Sequence, residues 1–186
     1  MRLPPALIEL LSRNLVMGLV ERGILASDRP ERTIEKAAHL VTSDLMVEDE
    51  ITEEARQILL DHQGELKGQD VEYHSLMGRA KGQLAARRGY VLSSGPGRLS
   101  REKMQDLTTK LFDMFLKDPD VEYFVKDQDL RNAVLRALEH EMAHDAAREE
   151  KAKEKVRRIR RNIPEESAEF HALFQQFYRE LLDKGQ

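Results

Sequence analysis

Apolar residues recur along this chain at steps of three and four for most of its length, a pattern that predicts amphipathic helices throughout. Leu3, Leu7, Leu11 and Leu15 mark a first helix from Pro4 or Pro5 to Arg22, with proline in its first turn and Gly23 placed for a left-handed cap. A second helix starts near Pro30 and carries Ile34, Ala38, Val41 and Leu45 on one face. A third segment runs from Thr52 to about Gln63, and Gly78 and Gly82 fall in a further helical stretch. Downstream, Ser100 is a good N-cap for a helix that stops near Asp118-Pro119. Another begins after Asp127 with Leu130, Val134, Leu138 and Met142, and a segment from Arg148 to Arg161 carries Ala152, Val156 and Ile159. No proline or glycine interrupts residues 127 to 161, so these two segments can form one helix. Pro164 ends the pattern before the widest apolar face in the chain, which holds Phe170, Leu173, Phe174, Phe177, Tyr178, Leu181 and Leu182.

The pattern also repeats. Sliding the sequence by about ninety-six positions sets Leu11, Leu15 and Leu19 beside Leu107, Leu111 and Phe115, and Ala37 beside Ala133. Glu53-Glu54 meets Glu149-Glu150, and after a one-residue slip Tyr73-His74 lies over Phe170-His171. The expected fold is therefore all-α: two tandem duplicated units of three to four helices each, bundle-like and packed together. The first unit spans residues 1–89 and the second 98–186. The Ser, Gly and Pro content of residues 90–97 marks a linker, whose start Tyr90, Val91 and Leu92 can pin to the first unit. Units of about ninety residues bury little core alone, so the two should share an interface.

Composition narrows the function classes only a little. The chain has 186 residues, 34% charged and 5% aromatic, with no tryptophan, a balance that suits helices better than a sheet-rich core. A net charge of -4 singles out neither an acidic nor a basic partner. The cysteine count of zero excludes disulfides, thiolate metal sites and a cysteine nucleophile. Glu9, Arg13 and Asn14 interrupt the first apolar stretch, so it reads as a folded helix, and no uncharged run approaches the roughly twenty residues of a membrane span. A soluble, cytoplasmic protein without membrane insertion is expected.

The chain resembles a bacterial family of small helical proteins, the domain of unknown function 507. The resemblance rests on the Met-Arg-Leu opening, the Glu-Glu pair of the third segment, and the stretch from Val156 to Phe170: a basic run, then proline, two glutamates, serine and an aromatic. Phe170 stands where the family usually has tryptophan. The likeness implies a helical cytoplasmic protein and carries no catalytic residue, cofactor or substrate.

Three constellations could carry chemistry. His140-Glu141-Met142-Ala143-His144 satisfies H-E-x-x-H, which on a helix sets two imidazoles one turn apart where they can grip zinc. If Leu138 and Met142 face the core, however, His140 and His144 face solvent, and no neighbouring spacing singles out a third ligand among Glu165, Glu166 and His171. The string then reads as an exposed chance match, and no metal or cofactor is expected. Second, Lys151, Lys153, Lys155, Arg157, Arg158, Arg160 and Arg161 crowd one segment with a single acid, Glu154. Such a face could track phosphates, although no stacking aromatics are interleaved; the competing reading is a solvated helix face aided by Glu149–Lys153 and Glu154–Arg158 pairs. Third, His74 and His171 recur at related positions beside apolar residues, as expected for histidines at the edge of a packing face.

The leading expectation is a non-enzymatic helical interaction or scaffold protein acting on a protein partner. Phe170, Phe174, Phe177 and Tyr178 are its candidate docking residues, although stripes of this kind normally bury against neighbouring helices. The alternative is nucleic-acid or anionic-surface binding through residues 151–161, and a more remote one is a zinc-dependent hydrolase built on residues 140–144. Features found once, including the basic run, the H-E-x-x-H string and all six phenylalanines, fall in the second unit. Any specialised surface is expected there.

Overall fold

A computed structural model describes residues 3–62, 73–93, 98–159 and 163–185. The element order is α1 (Pro5–Glu21), β1 (Leu25–Ser27), α2 (Pro30–Asp61), α3 (Tyr73–Arg88), α4 (Arg101–Lys117), β2 (Val121–Tyr123), α5 (Asp127–Ile159) and α6 (Ala168–Asp183). The fold is an all-α bundle with one small sheet. Helix, strand, long helix and short helix follow one another in each half. Their lengths are 17, 3, 32 and 16 residues and then 17, 3, 33 and 16. No helix among the described residues is long and apolar enough to cross a membrane.

Local chemistry sets several boundaries. Gly23 stops α1 at φ +64°, with its own N–H bonded to Val20 O and that of Ile24 to Leu19 O, so both bonds close over the last carbonyls. Gly89 ends α3 in the same way at φ +60°. Ser100 and Ser167 cap α4 and α6, each accepting the backbone N–H three residues on. The two segments expected between Pro30 and Gln63 are a single helix, α2. Residues 46–51 contain no helix breaker, and the buried Glu48, Ile51 and Ala55 continue the face of Val41 and Leu45. In α5 the residues from Asp127 to Ile159 likewise form one helix. Ile159 does not belong to its apolar stripe: Ala152 and Val156 are fully buried, whereas Ile159 is 57% exposed.

The strands escape any reading of periodicity because each is three residues long. They pair antiparallel with Leu25 opposite Tyr123 and Ala26 opposite Glu122, and Asp28–Asp120 and Phe124–Ile24 backbone bonds extend the ladder. This link fastens the connection that follows α1 to the one that follows α4. Asp118 sits at its edge, nearly fully buried, where it accepts Lys36 Nζ at 2.6 Å and the Asp120 N–H at 3.1 Å.

One large core runs through both halves. Leu7, Leu11, Leu15 and Leu19 of α1 join Leu107, Leu111 and Phe115 of α4, with Val41 and Leu45 of α2 and Val134 and Leu138 of α5 in the same cluster. A smaller cluster closes the far end of α2 against α3 through Ile51, Ala55, Leu84 and Ala85, under Tyr90 and Leu92. Tyr90 and Leu92 are thus packed against the first half, and 94–97 lie outside the described residues. The aromatic face of α6 is spent on the chain itself. Phe170, Phe177 and Tyr178 are buried and Phe174 is half-buried, so these residues form a packing wall and not the docking surface considered above. Phe174 and Tyr178 stack at 5.8 Å, and the Tyr178 hydroxyl donates to the buried Asp145. His74 and His171 are exposed, each edge-on to the aromatic before it, which for His171 is the buried Phe170.

Candidate functional site

Charged residues buried inside a helical protein are costly unless paired, so the pairs mark where the chain has invested polar groups in its interior. Two such places occur where the first helix of one half crosses the long helix of the other. Asp44 of α2 is buried and receives Lys103 Nζ and Lys110 Nζ from α4, both at 2.5 Å. The Tyr90 ring lies 3.8 Å from Lys103 Nζ and its hydroxyl donates to the Asp44 carbonyl at 3.0 Å. Burial and then the Asp44 charge push that phenol well above the ordinary tyrosine range, which keeps it a proton donor.

Glu141 of α5 stands ninety-seven positions after Asp44 and is 4% exposed. Its Oε1 accepts Asn14 Nδ2 of α1 at 2.9 Å, and Asn14 stands ninety-six positions before Lys110. The two sites therefore share a plan in which an acid on a long helix is held by a donor on the opposing first helix. They differ in charge, since Asp44 has two lysines, whereas Glu141 has a neutral amide and the buried Arg148, 3.7 Å from its Oε2.

Each acid borders a cleft, and the clefts differ in size. The one beside Asp44 measures about 330 Å³ and is lined by Leu40, Lys110, Asp113, Met114 and Lys117 as well as Asp44 itself. The one beside Glu141 measures about 590 Å³, within the range of small-ligand pockets. Gly18 occupies the second where Met114 fills the first, and this missing side chain is one physical reason for the added room. Asn14, Gly18 and Glu21 of α1, with Arg22 just past its end, form one wall, and Arg136, His140, Glu141, His144 and Arg148 of α5 form the other.

The H-E-x-x-H string therefore lies on the wall of the larger cleft. His140 and His144 are exposed as expected, with ring centroids 4.0 Å apart. Glu141 is buried, which the sequence did not disclose. The expected core face included Met142, but it is only half-buried; the buried face of α5 takes in Glu141, Asp145 and Arg148, where Asn14 of α1 meets Glu141 and the Tyr178 hydroxyl of α6 meets Asp145. A signal was present in the spacing of Glu141, Asp145 and Arg148, three ionisable residues at steps of four and three between the apolar Leu138 and Ala152.

The basic run is largely neutralised by nearby acids. Lys153 lies 3.9 Å from Glu150, Lys155 2.8 Å from Glu180, and Arg158 3.8 Å from Glu154, while Arg157 reaches Glu150 at 3.1 Å and Glu165 at 2.6 Å. The hydrogen bond and charge of Arg157 hold the Glu165 carboxyl below the usual carboxylate range. Glu149 pairs with Arg98 at 2.6 Å instead of with Lys153 as expected. Lys151 is exposed, and Arg160 and Arg161 lie outside the described residues.

A family model described as "Protein of unknown function (DUF507)" matches residues 1–185 of the chain. No curated protein matches it.

Proposed function

The chain belongs to the DUF507 family, whose function is unknown, and we propose that it is a non-enzymatic helical interaction protein. In this reading it is a duplicated pair of helical units fused into one cytoplasmic body, and it recognises an acidic segment of a partner protein at the cleft between α1 and α5. The duplication is supported by the matched element lengths and by the strand pairing centred on Ala26 and Glu122, themselves ninety-six positions apart. The single observation that carries the choice of surface is the divergence of the two clefts. Buried acid and opposing donor recur in both, while Gly18, Arg136, His140 and His144 occur only at the larger one.

The sign of the partner follows from the rim. Arg22, Arg136 and the two imidazoles face Glu21 alone among the exposed acids of that lining. The basic face of α5 is a weaker recognition surface, since four of its described cations already have acidic partners within 4.0 Å. Affinity capture from a lysate of the source organism tests the assignment with three proteins: the natural chain, Arg136→Glu on the cleft rim and Lys151→Glu on the basic face. Partners should be lost from Arg136→Glu and kept by Lys151→Glu. The opposite pattern moves the recognition surface to the basic helix.

A further inference from the structure

We propose that His140, His144 and Glu141 form a binding site for a divalent transition metal of the zinc and nickel class. At least one ligand atom of each residue lies within 4.8 Å of those of the other two. Bonds of about 2.0–2.1 Å arranged tetrahedrally set ligand atoms about 3.4 Å apart, so closure around an ion requires shifts of little more than an ångström. The two imidazoles are exposed, so a change of rotamer that closes this gap displaces no core side chain. Imidazole with carboxylate is the donor set that suits zinc and nickel rather than calcium or magnesium.

What separates this set from two histidines meeting by chance on a helix is the third group. Glu141 does not swing in solvent: Asn14, reaching across from α1, holds its Oε1 at 2.9 Å, and Arg148 borders its Oε2 at 3.7 Å. The same Oε1 lies 3.9 Å from His140 Nδ1. A ligating carboxylate oriented by outer hydrogen bonds is the arrangement that raises affinity at protein metal sites. Both halves of the chain are needed for it, because the ligands belong to α5 and the orienting amide to α1. Three protein ligands leave a coordination position open to the cleft, which suits a metal that accepts a further ligand from outside rather than a closed structural site.

The site shares the cleft assigned above to partner recognition, but uptake of the metal alone requires no partner, so the two readings fail separately. The test is titration calorimetry of Zn²⁺ into the full chain purified without a histidine tag, with Co²⁺ spectra as a second readout. One zinc per chain is expected. His140→Ala and His144→Ala should each weaken binding by at least about tenfold without altering the circular dichroism spectrum, and Asn14→Ala should weaken it by roughly tenfold through the loss of an outer-shell partner. The Co²⁺ form should show the intense visible bands of a low-coordinate ion, lost in His144→Ala. His39→Ala, away from the cleft, should change nothing. Absence of stoichiometric zinc overturns the proposal. So does a folded Glu141→Gln variant that binds zinc as tightly as the natural chain, since that result leaves only a two-imidazole chelate.

Discussion

Asp118 shows most clearly how single residues hold the two halves in place. Burial alone would raise its pKa, but the hydrogen bond from Lys36, the Asp120 N–H and the charges of Lys36 and Arg32 outweigh burial and bring it below the usual carboxylate value. A carboxyl depressed in the folded state contributes stability that is present above its unfolded pKa of about 3.9 and is lost as pH falls through the lower folded value. Asp118→Asn should therefore cost about 1–3 kcal/mol in urea unfolding at pH 7. The difference from the natural chain should shrink steadily below about pH 4, where the unfolded chain's carboxylate takes up its proton before the folded one does. An equal difference at pH 7 and pH 3 would show that the side chain's shape, not its charge, does the holding.

Helix boundaries were the most legible elements because capping chemistry is local. Gly23 and Ser100 each mark an end that depends on a few neighbouring backbone groups, and α1 stops and α4 starts beside them. The three-residue strands were not legible, since no alternation can declare itself over so short a run. Nor was the burial of Glu141, which depends on α1 arriving from the other end of the sequence. Glycine gives a sharp check on this local reading. Gly18 lies within α1, where an added Cβ meets only the end of Arg22 at 3.9 Å, while Gly23 holds φ +64° with open space around it. The same substitution should thus have opposite effects: Gly18→Ala stabilises by up to about 1 kcal/mol through helix propensity, and Gly23→Ala destabilises by about 1 kcal/mol through strain. Thermal unfolding of both variants checks this, and a stabilised Gly23→Ala would deny the left-handed cap.

At the scale of the whole molecule, the two halves have the same element order, and one large core runs through both. Residues related by the ninety-six-position shift, such as Leu11 with Leu107 and Leu15 with Leu111, lie in one cluster. The ties between halves are polar as well as apolar, from Asn14 to Glu141, Lys110 to Asp44 and Lys36 to Asp118. Both functional proposals rest on this union, because the cleft has one wall from α1 and the other from α5. A chain whose halves opened independently would have no lasting cleft. Native-state hydrogen exchange measures that coupling directly, as the opening free energy of core amides in each half. Leu11 and Val41 in the first half and Leu111 and Leu138 in the second should exchange through one shared opening, with free energies agreeing within about 1 kcal/mol and falling together with denaturant. Two groups of amides divided by half and separated by more than about 2 kcal/mol would contradict the single body on which the cleft depends.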